Sequence, residues 1–299
     1  MSAVRVGVTL PQFTADARAF ADGARRAQDL GFDSLWVFDH LWPLGAKDRP
    51  ILESWTSLAW LAEATSGVTI GTLVTRSSLR HPALLAKMAA TVSAVAPGRL
   101  CVGIGSGDEM SAAENLAYGI PYWSGEDRTD QLASTVEVLH RVREGGEVTF
   151  SDDFAEIADL PAAPGPRDYS IWVAGRSVAA LDIAGRLADG WNAWAAPPEE
   201  VANAAAALRK IAGERPLELT WGGQVVVAET DDAARRRLGK RNPARFVSGS
   251  PETVGRYLAS LVEAGVQHLV LASPFASDPE SYELVARVRD EHLSVTAGR

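Results

Sequence analysis

Ser34-Leu35-Trp36-Val37-Phe38-Asp39-His40-Leu41-Trp42-Pro43-Leu44-Gly45 is the stretch from which the fold is read. A short apolar run, Leu35 to Phe38, stops at Asp39 and His40 and then enters a Trp/Pro/Gly loop. Such a run, bounded by a turn, describes a buried strand. An acid beside a histidine at the carboxyl end of a buried strand is where a parallel barrel keeps its chemistry. His40 is one of five histidines in the chain. The bland alternative is a strand-end histidine capped by its neighbouring carboxylate.

Outward from this point the same unit repeats. Strands are expected at 4–10, 34–38, 69–74, 99–103, 171–174, 190–193, 217–228 and 268–272. Stretches of helical period follow them at 14–30, 53–64, 81–95, 128–143, 178–188, 199–212, 251–264 and 279–291. Eight βα units closing into one (β/α)8 TIM barrel, a single domain over 1–299, is the economical account. Two segments interrupt it: an insertion at about 145–166, read as a small hairpin, and a charged insertion at about 229–250.

Composition limits the function. The chain has 299 residues, 46% of them hydrophobic, and a net charge of −9. Phosphate backbones require clustered Lys and Arg, so this balance argues against nucleic acid. The single cysteine, Cys101, allows no internal disulfide and no multi-Cys metal site, and its apolar neighbours Leu100 and Val102 predict a buried, inert thiol. No secretory leader or membrane-length apolar run is visible, so a soluble cytoplasmic protein is expected.

The loops after the strands concentrate reactive side chains. Asp39, His40 and Trp42 follow strand two; Thr75, Arg76 and Arg80 follow strand three. Strand four leads into Gly103-Ile104-Gly105-Ser106-Gly107-Asp108-Glu109, read as a glycine-rich loop. Those glycines lack the spacing of a dinucleotide fingerprint and suit backbone passing close to a planar ligand. Asp108 and Glu109 are either general acid/base groups beside His40 or solvated loop acids.

Ala174-Gly175-Arg176-Ser177 opens directly into a helix, where free amides, the helix dipole and Arg176 favour a phosphate; a plain capped turn is the alternative. Trp42 and Trp194, at strand ends, are candidate walls for a planar cofactor or apolar substrate. Trp36, Trp60 and Trp172 are expected in the core. No His-x-His pair follows the first strand and no Gly-x-Ser-x-Gly elbow is present, so no metal site and no serine nucleophile is expected. Redox or proton-transfer chemistry on an organic cofactor remains.

Several segments together resemble the bacterial luciferase-like family of flavin- and deazaflavin-dependent barrel oxidoreductases. They are Leu30 to Leu41, Ile70 to Thr75, Arg80 to Lys87, Gly98 to Gly107, Ala117 to Pro121, Ile171 to Ser177 and Ala188 to Asn192. Asp-His after the second strand resembles the branch that uses coenzyme F420, an 8-hydroxy-5-deazaflavin. The resemblance implies hydride transfer between the deazaflavin C5 and a small organic substrate, with His40 handling the proton and Asp108 or Glu109 assisting. It implies that Asp39 hydrogen-bonds the deazaflavin, that Thr75 and Gly107 approach its ring, and that Ala174, Gly175, Arg176 and Ser177 hold its phosphate. A cis non-prolyl bond is implied at Thr72-Leu73.

The fourth loop departs from the family pattern. A deazaflavin glucose-phosphate dehydrogenase has one Glu where this chain has Asp108-Glu109. No Lys near Trp194 is placed to bind a sugar phosphate. The alternatives kept beside the main reading are an FMN-dependent monooxygenase fed by a separate reductase and a non-catalytic flavin-binding barrel. A homodimer through barrel helices is the family's habit.

Overall fold

The computed structural model describes residues 3–43, 45–123, 125–161 and 168–293. The strands within them, in chain order, are β1 (Arg5–Thr9), β2 (Ser34–Val37), β3 (Thr69–Thr72), β4 (Thr75–Arg76), β5 (Leu100–Gly105), β6 (Glu147–Ser151), β7 (Glu156–Pro161), β8 (Tyr169–Ala174), β9 (Gly190–Trp194), β10 (Glu218–Val227), β11 (Val247–Gly249) and β12 (His268–Ala272). Eight of them, β1, β2, β3, β5, β8, β9, β10 and β12, pair in parallel, each with the next, and β12 returns to β1. The sheet is a closed barrel, with helices following the strands on its outside.

Both faces of the barrel strands are buried. Val6, Val8, Leu35, Val37, Leu100, Val102, Ile104, Ile171, Val173, Leu269 and Leu271 pack outward, in one apolar cluster with helix residues such as Phe20, Leu58, Leu85, Leu139 and Leu258. The alternate positions form a second cluster inside the barrel: Trp36, Leu73, Cys101, Trp172 and Val270. Trp36 and Trp172 stack there, ring centroids 4.7 Å apart. Glycines make the room. A Cβ on Gly71 would stand 2.5 Å from the Trp36 ring, and one on Gly190 2.5 Å from the Trp172 ring.

Helix starts are marked by side chains that accept first-turn amides, Asp16, Glu53, Ser177, Thr230, Ser250 and Asp278 among them. Among the described residues no helix is long and apolar enough to cross a membrane.

Several expectations need correction. The third strand is not continuous over 69–74: it breaks after Thr72 and resumes as β4, which pairs with β5 at Ile104 and Gly105. The cis peptide bond lies at Leu73-Val74, not Thr72-Leu73. The Leu73 amide still donates to Val37 O at 2.8 Å, which keeps the preceding peptide in the ladder. The fourth barrel strand, β5, runs beyond Gly103 to Gly105, so Gly105 belongs to a strand and not to a loop. Gly103 is required where Thr72 O would meet a Cβ at 2.1 Å. Trp60 is exposed rather than core, because the buried face of helix Ser54–Ala64 is set by Trp55, Leu58, Leu61 and Ala62.

In the 145–166 segment β6 and β7 form an antiparallel pair, and residues 162–166 lie outside the described residues. The 229–250 segment holds helix Asp231–Leu238 and β11, which pairs in parallel with the far end of β10.

Replacing Gly71 by Ala should destabilise the barrel by about 1–3 kcal/mol, since the new methyl meets both an indole and the Cys101 carbonyl. A urea midpoint unchanged from the parent would show that the barrel interior is not filled as described.

Candidate active site

The carboxyl ends of the strands share one rim, and the end of β2 is its most heavily held part. Four consecutive residues, Phe38 to Leu41, are each bound by side chains from other loops. Gln12, fully buried after β1, accepts from the Phe38 amide through Oε1 at 2.7 Å and donates to the Phe38 carbonyl at 2.8 Å. Its amide also donates to Leu52 O at 2.7 Å.

Asp39 is buried and takes donors from two further loops. Ser54 Oγ donates to Oδ1 at 2.6 Å, Thr75 Oγ1 donates to Oδ2, and Arg80 reaches both oxygens, at 2.5 and 3.2 Å. Arg80 also pairs with Glu53 at 2.6 Å. Burial alone would raise the Asp39 pKa, but the Arg80 charge and the three donors outweigh it and hold the carboxyl below its ordinary range. Burial likewise opposes the charge on Arg80, and Asp39 with Glu53 more than compensates, so its pKa is raised.

His40 belongs to a separate network. Its Nδ1 lies 2.9 Å from Glu114 Oε1, while Glu114 Oε2 accepts from the Leu41 amide at 2.7 Å and from Arg76 Nη2 at 3.0 Å. Glu114 sits on the short helix Ala112–Ala117 after β5 and is wholly buried, as is nearly all of Arg76. The His40 side chain keeps 21% exposure, so part of it stays open to solvent. Burial would raise the Glu114 pKa; the hydrogen bonds from His40 and Leu41, the charge His40 carries when protonated and the charge of Arg76 bring it below the usual value.

The other sequence candidates are distributed around this centre. Thr75 is buried on Asp39, and Thr72 donates to Gly103 O at 2.7 Å. Gly107 has φ +75° and lies against Arg76. Asp108 and Glu109 are both exposed, and Asp108 caps the turn Glu109–Ser111, accepting from Ser111 N at 3.1 Å and Ser111 Oγ at 2.9 Å. Trp42 packs on Tyr118, ring centroids 6.2 Å apart. Trp194 meets Phe38 edge to face at 6.0 Å, and a point at the Cβ position of Gly222 is about equally near Trp194 and Leu73. Phe38, Leu73, Trp194 and Gly222 are therefore neighbours.

On the far side, Ala174 borders Gly105, and Gly175 has φ +145°. A Cβ on Gly175 would meet Ala180 at 2.7 Å, so only glycine leaves this turn open. Ser177 accepts from Ala180 N at 3.1 Å to start helix Val178–Leu187, and Arg176 pairs with Glu200 at the exposed edge. The remaining first-turn amides have no intrahelical acceptor.

Sequence reasoning did not single out Glu114, Gln12, Glu53 or Ser54. It noted Arg76 and Arg80 only as part of a cluster. Nothing local marks Glu114, whose partner His40 lies 74 residues away.

A closed parallel barrel with a histidine and paired buried ions at its mouth describes an enzyme of the organic-cofactor class. Residues 1–297 match the luciferase-like monooxygenase family, and the chain belongs to it. An F420-dependent hydroxymycolic acid dehydrogenase of Mycobacterium tuberculosis is 30% identical over 255 residues, which cover 82% of this chain and 68% of that protein. An F420-dependent glucose-6-phosphate dehydrogenase of Intrasporangium calvum is 35% identical over 182 residues, 58% of this chain and only about half, 53%, of that protein. A solved F420-dependent secondary alcohol dehydrogenase, in complex with an F420-acetone adduct, superposes with TM-score 0.80 over 97% of this chain and 100% of that one. Its sequence identity of 24% makes this a likeness of fold.

Asp39 and Glu114 titrate lower in the folded chain than in the unfolded one. Their contribution to stability is therefore complete above about pH 5 and is lost as pH falls through the lowered folded values. Urea midpoints measured from neutral pH down to about pH 3 should fall less steeply for Asp39→Asn/Glu114→Gln than for the parent. Parallel curves would show that these carboxylates are not held as described.

Proposed function

We propose that the chain is a coenzyme F420-dependent oxidoreductase that moves a hydride between the deazaflavin and a small organic substrate. The observation that carries this is His40 at the barrel mouth, with one ring nitrogen tied to a buried carboxylate and the ring partly open. The two F420-dependent relatives and the F420-dependent structural neighbour support the choice of cofactor.

The residues present fit such a group. The glycine cradle at Gly175, closed to any Cβ, lies beside the amides that open a ten-residue helix, which suits a phosphate. Ala174, Gly175, Arg176 and Ser177 would hold that end of the cofactor, with Arg176 already balanced by Glu200. The ring would lie toward Gly107, Leu73 and Thr75. The Asp39 carboxylate already accepts four hydrogen bonds from Ser54, Thr75 and Arg80, so direct contact of this side chain with the ring would cost it one of them.

When bound, the deazaflavin supplies a carbon, C5, that takes or gives a hydride. His40 moves the accompanying proton at Nε2, the nitrogen not engaged by Glu114. Asp108 already caps a turn, so Glu109 is the acid left to assist. Trp42 and Trp194 wall the substrate space and help exclude water.

A cytoplasmic location and a separate reaction that restores the spent cofactor complete this reading. Trp60, Leu84 and Val95, exposed on the packed neighbouring helices Ser54–Ala64 and Pro82–Val95, support a homodimer through the barrel helices.

Titration with oxidised F420 and separately with FMN, followed by quenching among the nine tryptophans, tests the cofactor. Tight F420 binding with weak FMN binding is expected. The reverse would move the reading to a flavin-dependent monooxygenase, and F420 binding without hydride exchange on any substrate would leave a binding protein. In the F420-loaded enzyme, His40→Ala should lower turnover about 10²- to 10⁴-fold while cofactor affinity changes little. Equal loss of both would contradict a proton-carrying role.

A further inference from the structure

We infer that Glu114 is the positioning residue that fixes His40 in the tautomer protonated at Nδ1, leaving the Nε2 lone pair toward the mouth. This rests on the reading of His40 as the proton carrier and names the group that prepares it.

The argument begins with charge. A wholly buried carboxylate stays ionised only if it is paired and hydrogen-bonded. Glu114 has both, without any charge on His40: Arg76 supplies the positive partner at 3.0 Å and the Leu41 amide adds a donor at 2.7 Å. An ionised carboxylate can only accept. The atom facing Oε1 at 2.9 Å is His40 Nδ1, so that nitrogen must carry hydrogen.

In neutral imidazole the proton is then absent from Nε2, which is the basic form needed there. When Nε2 gains a proton, Nδ1 remains a donor to the same oxygen. The ring keeps its hydrogen bond and its orientation through both halves of a proton cycle.

The second carboxylate oxygen strengthens the effect. It holds the main chain at Leu41, one residue from the imidazole, so a single rigid group grips both ring and backbone of the His40–Leu41 unit. Arg76 in turn packs on Gly107 and reaches toward Ser111 O at 3.4 Å, which ties helix Ala112–Ala117 to the barrel rim. A glutamine at 114 could not impose the same choice. Its one carbonyl oxygen would have three donors competing for it, and its NH2 could donate to an unprotonated Nδ1.

Nitrogen-15 NMR of the imidazoles tests this on the full-length protein without cofactor. The His40 signals are assigned by their loss in His40→Gln. At about pH 8, above the ordinary histidine range, Nδ1 of wild-type His40 should carry the proton and Nε2 should not. Protonated Nε2 with bare Nδ1 in the wild type would overturn the inference, whatever any variant does.

In Glu114→Gln the two tautomers should mix, and turnover of the loaded enzyme should fall about 10- to 100-fold with KM and cofactor affinity little changed. A single unchanged tautomer in this variant would also overturn it. If the charge left on Arg76 prevents folding, Arg76→Met/Glu114→Gln removes both ions and is read the same way. The spectra need no F420, so failure of the cofactor assignment leaves this result standing and is recognised separately in the titration.

Discussion

The end of strand β2 is held from four directions, and the mouth of the barrel is organised by that restraint. A closed sheet fixes where a strand ends but not how the residues beyond it are turned. Here Gln12 fixes the main chain of Phe38, Ser54 with Thr75 and Arg80 fixes Asp39, and Glu114 fixes His40 and Leu41. The holding groups come from the loops after the first, second, third and fourth barrel strands. Any shift of one of those loops would have to break a buried hydrogen bond, which costs more than a bond exposed to water. The catalytic precision proposed for His40 is thus a property of four loops acting on one short segment.

Adjacent residues nevertheless answer to different ions. Asp39 is balanced by Arg80, and His40 is connected through Glu114 to Arg76, although both arginines come from the same short stretch after the cis bond. Each buried ion has a partner close by, so neither network requires the imidazole to be charged. The chain carries a net charge of −9, yet the groups around His40 are arranged in opposite-sign pairs. Protonation at the mouth is therefore governed by these few neighbours more than by the overall charge, whose distant members are screened.

Much of this architecture was legible in the sequence, and the reasons are specific. Strands buried on both faces appear as uninterrupted apolar runs, so Leu35 to Phe38 and its seven counterparts stood out with boundaries close to those observed. The interruption between β3 and β4 did not, because Leu73 and Val74 are as apolar as the residues that pair. The end of β5 at Gly105 looks like loop in the sequence, since the close approach of Val74 and Ala174 that calls for glycine there is a tertiary fact. β11 was hidden for a different reason: three residues, Val247 to Gly249, at the end of a charged stretch carry too little pattern. At the site, His40 and Asp39 were visible from their place after a strand. Glu114 was not, since one acid on a six-residue helix reads as a solvated side chain until the fold brings it under the histidine.

The stacked indoles of Trp36 and Trp172 decide where a ligand can sit. They stopper the barrel axis beneath the mouth, with glycines on the neighbouring strands pressed against them. The barrel interior is taken up by packed side chains, so a ligand of this fold is held by the loops at the rim and not by any space between the strands.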